Sequence, residues 1–112
     1  MEIIEFAVQG SAAEPYVVTF SRTGESFTAF CTCPAGQSRQ SCKHRIGILA
    51  GSTKGLVSGT PEQVGLVANW LPGSHVAVDR QALVASEAAF EQAKKAVSAA
   101  RAALAAALHA AP

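Results

Sequence analysis

The first part of the chain alternates apolar and polar residues, which is the pattern of β-strands with one buried face. One alternating run ends at Gly10, a second begins at Tyr16, and a third extends from Phe27 to Cys33 after a turn that contains Gly24. The residues that share one face of the first two strands are Ile4, Phe6, Val8, Tyr16, Val18 and Phe20. The pattern therefore predicts three strands, of which the last two form a hairpin.

The apolar spacing then changes to that of helices. A short apolar run from Ile46 to Ala50 predicts a helix, and Ser41 is the expected N-cap residue of its first turn. Residues 51–60 are rich in glycine and serine, so they are expected to form a flexible connection.

Two more helices are predicted in the C-terminal half. Thr60 and Pro61 mark the start of a short helix that ends before Pro72. A long, alanine-rich helix is expected to begin near Asp79 as its N-cap and to continue to about Ala110. At about 45 Å it would exceed the width of a small domain, which is about 30 Å, so it must project, wrap or pair.

A heptad seam marks one face of this long helix. The large apolar residues that recur every seven positions are Leu83, Phe90, Val97 and Leu104. Small residues follow three positions after each of them, at Ser86, Ala93, Ala100 and Ala107. Small residues allow a second helix to approach closely, so we expect self-association as a homodimer, or docking on a partner. The alternative is that the helix packs on the short helix around Trp70 and on the hairpin.

These elements predict a small α+β protein. We expect a β-rich domain over 1–50, a linker over 51–60 and a helical region over 61–112. The length of 112 residues suits one domain, or a small domain with an appendage. No run is apolar enough for a signal peptide or a membrane span, and the predicted location is cytoplasmic, with no membrane partner.

All three cysteines lie in one short segment together with a histidine. Cys31 and Cys33 are two positions apart, and residues at that spacing project from the same face of a strand. Cys42 and His44 repeat the spacing at a predicted helix start, where the helix dipole favours a thiolate. Three sulfurs and one imidazole suit a closed tetrahedral site for one structural Zn²⁺ ion.

Other chemistries for these cysteines are less favoured. A disulfide would leave one cysteine unpaired, and Cys31 and Cys33 are poorly placed for relaxed disulfide geometry in a strand. A nucleophilic cysteine usually needs a group that orients its histidine, and no Asp or Glu occurs between Glu25 and Glu62 to supply one locally. Iron–sulfur or copper ligation remains open, since thiolates are soft ligands. We do not expect an enzyme.

The cysteine segment resembles the SWIM-type zinc finger, whose pattern is Cys-x-Cys, a variable loop and Cys-x-His. The run Cys31-Thr32-Cys33-Pro34, followed by Cys42-Lys43-His44 and apolar residues, is similar to that pattern. The resemblance covers about residues 16–50. It implies a fold of a β-hairpin, a zinc knuckle and a short helix. Fingers of this kind are found in chromatin-remodelling-type ATPases, Mutator-type transposases and some signalling and recombination proteins. Such a finger is expected to bind DNA or protein.

Basic and amide side chains surround the predicted knuckle, and acidic ones are absent from it. The residues expected to contact nucleic acid are Gln37, Arg39, Gln40, Lys43, Arg45 and Lys54. The alternative is that these side chains are solvated and offset the thiolate charge. Aromatic residues of the hairpin, at Tyr16, Phe20, Phe27 and Phe30, are expected in the core rather than as a stacking platform. His75 is expected to be a loop residue without a site role.

The favoured hypothesis is therefore a zinc-dependent module that binds nucleic acid, with DNA preferred. The second hypothesis is an adaptor whose finger and C-terminal helix both contact protein. A third, a thiol-based redox or metal sensor, is the least favoured.

Overall fold

The computed structural model describes residues 1–110 and confirms the predicted α+β class. The sheet contains β1 (Glu2–Val8), β2 (Tyr16–Thr23), β3 (Ser26–Cys31) and β4 (Leu56–Ser58). The helices are α1 (Pro34–Gln37), α2 (Lys43–Leu49), α3 (Pro61–Ala68) and α4 (Ala77–His109).

The four strands form one antiparallel sheet in the order β3-β2-β1-β4. The hairpin between β2 and β3 pairs Thr23 with Ser26, so two residues form its loop. Gly24, the first of them, has a φ of 62°, and a type II′ turn requires glycine at that position. The register of this hairpin places Cys31 opposite Val18 of the central strand β2. The hairpin thus fixes the first cysteine against the core.

The core lies between the sheet and the helices α2 and α3. Phe6 and Phe20 are fully buried and pack edge to face, with ring centroids 5.9 Å apart. Trp70 is also buried in this core.

The hairpin aromatics divide into buried and exposed members. Phe20 and Phe27 are buried and Tyr16 is half-buried, which confirms the prediction for them. The prediction is wrong for Phe30, which is 53% exposed. Phe30 points away from the core because its neighbours in the strand, Ala29 and Cys31, take up the packed positions.

Three predicted boundaries differ from the structure. The third strand ends at Cys31 rather than Cys33, because Cys33 is the N-cap of α1 and Pro34, which has no N–H for a strand ladder, is the first helical residue. The N-cap of α2 is Cys42 rather than Ser41, since Cys42 is the last residue with an extended backbone before the helix. Helix α4 starts at Ala77, so Asp79 lies in its first turn, where its negative charge interacts favourably with the positive end of the helix dipole.

The segment expected to be a flexible linker contains a strand. Residues Leu56–Ser58 form β4, which pairs with β1 at the edge of the sheet. Gly59, which has a φ of 105°, packs directly on the ring of Phe6, and a Cβ there would lie 2.5 Å from that ring. Glycine in this segment therefore serves close packing and turns, rather than flexibility.

The chain divides into two compact units, one of residues Met1–Ala77 and one that begins at Val78. In the second unit, every side chain from Gln81 to Ala110 is exposed. Among residues 1–110, no helix has both the length and the apolar character to cross a bilayer. His75 lies in the turn before α4, with its ring 6.1 Å from that of Phe27.

Candidate metal centre

The structure brings the three cysteines and His44 together into one cluster. One ligand atom from each of Cys31, Cys33, Cys42 and His44 lies within 4.8 Å of every other. The four side chains come from the end of β3, the N-cap of α1, the N-cap of α2 and the second residue of α2. The arrangement can hold one metal ion.

The distances within the cluster show free thiols around a common centre. The sulfurs of Cys33 and Cys42 are 3.4 Å apart, well beyond the length of about 2.05 Å of a disulfide bond. The Nδ1 atom of His44 is 3.7 Å from the sulfur of Cys31 and 3.7 Å from that of Cys42. The imidazole therefore directs Nδ1, not Nε2, toward the sulfurs.

Backbone contacts fix the first pair of cysteines. After β3, the Thr32 N–H donates to the Val17 carbonyl at 3.0 Å, and the Val17 N–H donates to the Thr32 hydroxyl at 2.9 Å. These bonds extend the β2–β3 pairing by one residue. The Gly36 N–H then donates to the sulfur of Cys33 at 3.3 Å, so the first turn of α1 stabilises that sulfur as an acceptor.

Gly36 supports the cluster in a way that the sequence pattern does not reveal. A Cβ at this position would collide with the carbonyl oxygen of Cys31 and would lie 2.9 Å from the Cβ of that residue. Because no side chain fits there, α1 can approach the end of β3 closely enough for Cys33 to join Cys31. The signal in the sequence is a glycine three residues after the second cysteine.

Burial and neighbouring groups give the thiols of Cys31 and Cys42 different acidities. All three cysteines are buried. Burial raises the pKa of Cys31 to about 12. Burial also acts to raise the pKa of Cys42, but the nearby N–H of Arg45 and the hydrogen bonds with Cys33 and His44 outweigh it and lower the pKa to about 6. The Cys42 thiol therefore ionises more readily than the Cys31 thiol, and a cation at the centre would favour the thiolate form of both.

The other side of the His44 ring packs on protein rather than on a polar group. Its Nε2 atom is buried and has no hydrogen-bond partner among the described residues. The ring centroid lies 5.1 Å from that of Tyr16, and a Cβ on Gly10 would lie 3.3 Å from Nε2. Tyr16 and Gly10 therefore set the orientation of the imidazole by packing, a role the sequence did not indicate.

The residues predicted to contact nucleic acid differ in how free their side chains are. Arg45 donates to the carbonyl oxygens of Ala29 at 3.1 Å and Gln40 at 2.7 Å, so it fastens α2 to β3 and to the loop before α2. Gln37 donates to the carbonyl oxygen of Thr32 at 2.8 Å. These two side chains have an internal structural role in addition to any contact with a ligand.

The remaining predicted contacts are exposed. Arg39 lies in the loop between α1 and α2 with a φ of 59°, next to the exposed Gln40. Lys43 and Lys54 line one cavity of about 490 Å³ beside β1. Within residues 1–110, Arg39, Lys43 and Lys54 form no ion pair with an acidic side chain.

Comparison of the chain with models of protein families, with curated proteins and with solved structures finds no match.

Proposed function

We propose that the cluster binds one structural zinc ion and that residues 16–50 form a finger similar to the SWIM type. Tetrahedral zinc with bonds of about 2.3 Å to sulfur and about 2.05 Å to nitrogen separates two sulfurs by about 3.8 Å and a sulfur from a nitrogen by about 3.6 Å. The distances of 3.7 Å from His44 Nδ1 to the sulfurs of Cys31 and Cys42 match that size, the Cys33–Cys42 distance of 3.4 Å is slightly shorter, and all four ligand atoms lie within 4.8 Å of one another. This agreement is the observation that supports the proposal most strongly.

Zinc would act here as a structural ion. Four protein ligands fill a tetrahedral shell, and a catalytic zinc keeps one position for water or substrate. The three buried cysteines also join parts of the chain that are separate elements of the fold: the end of β3, α1 and α2. We therefore propose a binding module rather than an enzyme.

The proposed ligand of the finger is nucleic acid, with DNA favoured. Its support is the exposure of Arg39, Lys43 and Lys54, which have no acidic partner among the described residues, so that no carboxylate competes with phosphate for them. Gln40 is exposed beside Arg39 and has a side-chain amide that suits a base edge. Arg45 and Gln37 would position this surface through their bonds to the backbone.

The test is binding of the zinc-loaded protein to labelled double-stranded and single-stranded DNA at several salt concentrations. The triple variant Arg39→Glu, Lys43→Glu and Lys54→Glu is compared with Lys95→Glu, which changes a charge on α4. We expect a slope of log K against log salt of about −3, lost in the triple variant and kept in the control. Equal binding by both variants would contradict the proposal.

An adaptor that binds protein is the second candidate, and the exposure of Phe30 favours it. Phe30 is 53% exposed on β3, which is an edge strand of the sheet. An edge strand with an exposed aromatic side chain can accept an extended peptide as a further strand. Absence of DNA binding by a folded, zinc-loaded protein would favour this candidate, and Phe30→Ser would then be expected to abolish partner binding while leaving zinc content unchanged.

A further inference from the structure

Helix α4 presents a long apolar seam to solvent. Helix α4 has no buried residue, and the large apolar side chains of its seam are exposed by between 38% at Leu83 and 63% at Phe90. The large members of the seam are Leu83, Phe90, Val97 and Leu104, and the small members are Ser86, Ala93, Ala100 and Ala107. From Leu83 to Ala107 the seam is about 36 Å long.

We propose that two copies of the chain pair through α4 as an antiparallel, two-fold symmetric coiled coil with a defined register. In this register, each large residue of one copy faces a small residue of the other. The four kinds of layer, each of which occurs twice in the dimer, are Leu83 with Ala107, Phe90 with Ala100, Val97 with Ala93, and Leu104 with Ser86. The two-fold axis lies level with residue 95, between Lys94 on one side of the seam and Ala96 on the other.

The volumes of the seam residues decide between antiparallel and parallel pairing. In an antiparallel pair, the first and fourth heptad positions meet each other, so every layer contains one large and one small side chain and all layers have similar volume. In a parallel pair, like positions meet, and layers such as Phe90 with Phe90 would alternate with layers such as Ala93 with Ala93. Cores pack best when large and small side chains alternate across facing positions, which favours the antiparallel pair.

The charges that flank the seam support the same orientation. On one side of the seam the flanking positions are charged, at Arg80, Glu87, Lys94 and Arg101. On the other side they are alanine, at Ala82, Ala89, Ala96 and Ala103. An antiparallel pair places the charged sides of both copies together, and in this register Glu87 faces Arg101 of the second copy, twice in the dimer. A parallel pair would place the charged side against alanine and form no such ion pair.

The remaining contacts are compatible with this arrangement. The alanine sides meet each other, so the helices can approach closely. Lys94 meets Lys94 of the second copy near the axis, and Glu91, whose carboxylate lies 3.4 Å from the Lys94 ammonium in the same chain, offsets that repulsion. Only residues of α4 take part in this pairing, which requires neither zinc nor nucleic acid.

The test is a charge-reversal cycle measured by sedimentation equilibrium on the full chain. Glu87→Arg and Arg101→Glu are studied singly and together, with Lys95→Glu, which lies on the outer face of α4, as the matched control. Each single reversal replaces two attractions by two repulsions, so we expect the dimer dissociation constant to rise about 5- to 10-fold. The double reversal is expected to return it to within about 2-fold of the original value, and the control is expected to leave it unchanged.

This rescue is specific to the antiparallel register. Residues 87 and 101 of one helix are about 21 Å apart along its axis, so they cannot compensate for each other within one chain. Circular dichroism of each variant shows whether the helix is retained. A monomeric native chain, single reversals without effect, or a double variant no tighter than the singles would each overturn the proposal.

Discussion

Replacing Gly36 by alanine tests how the fold brings together the cluster of three cysteines and His44. A methyl group at Gly36 would collide with the carbonyl oxygen of Cys31 and would lie 2.9 Å from the Cβ of the same residue. Both are atoms of the strand end, which the β2–β3 pairing holds in place, so α1 must move away from β3. This movement would draw the sulfur of Cys33 out of the cluster and weaken the bond from the Gly36 N–H.

The size of the effect follows from these contacts. Overpacking of a rigid site destabilises a protein by about 1–3 kcal/mol, which lowers the melting temperature of a domain of this size by roughly 4–20 °C. Displacement of one ligand is also expected to lower metal affinity by about 10- to 100-fold, the range seen when groups that support ligands are changed.

Gly65 provides a matched control for the same substitution. It lies within α3 and is exposed, and a Cβ added there would have no other atom within 4 Å. Alanine at this position removes the entropic penalty of a helical glycine and is expected to stabilise the protein by about 0.4–1 kcal/mol.

The assay is thermal unfolding of the zinc-loaded variants, together with competition for zinc by a chromophoric chelator. We expect Gly36→Ala to melt lower and to lose zinc more readily than the native chain, and Gly65→Ala to melt higher with unchanged affinity. If both substitutions changed stability in the same direction, or if Gly36→Ala kept native zinc affinity, the proposed role of the close approach would be refuted.

Three further outcomes are expected from the same structure. Cys33→Ser should leave a site of three ligands and abolish folding of the finger in dilute chelator, because a structural zinc contributes on the order of 10 kcal/mol of apparent binding energy. Loss of the near-ultraviolet circular dichroism signal would show this unfolding, and a native spectrum would contradict it. Gly59→Ala should destabilise the protein by about 2 kcal/mol or more, because its Cβ would lie 2.5 Å from the Phe6 ring and its φ is 105°. Urea denaturation measures this loss, and native stability of the variant would contradict the close packing of the segment after β4 on Phe6. Zinc affinity should fall as the pH is lowered from about 7 to about 5, because protons compete with the metal for thiolates and imidazole. Calorimetry in buffers of different ionisation enthalpy should show proton release when zinc binds. Binding without proton release would be inconsistent with thiol ligands.

The strands and the long helix could be predicted because their patterns are periodic over many residues. Alternation specifies β1 and β2, and the uninterrupted alanine-rich run specifies α4. β4 was not predicted because three residues are too few to show an alternation of apolar and polar positions, and because the glycines around it are typical of a flexible linker. Those glycines instead allow turns at positive φ and the close packing of Gly59 on Phe6.

The clustering of Cys31, Cys33, Cys42 and His44 could be predicted because the local spacing already brings these residues into pairs, one on each side of a single loop. The supporting contacts could not, since they depend on how separate elements meet. Gly36 fits against the Cys31 carbonyl, Tyr16 packs on the His44 ring, and Arg45 bonds to the Ala29 carbonyl across α2 and β3. The bond of Arg45 also shows why a count of basic residues overestimates the charge that is free to bind a ligand. A cation that holds two elements together is less free to contact phosphate.

X-ray absorption spectroscopy of the purified protein, with metal content measured on the same sample, tests the central claim most directly. We predict one zinc per chain, with a first shell of three sulfurs at about 2.3 Å and one nitrogen at about 2.0–2.1 Å. A shell with an oxygen ligand, a different metal in stoichiometric amount, or no bound metal in a folded protein would contradict the assignment of Cys31, Cys33, Cys42 and His44 as a closed structural zinc site.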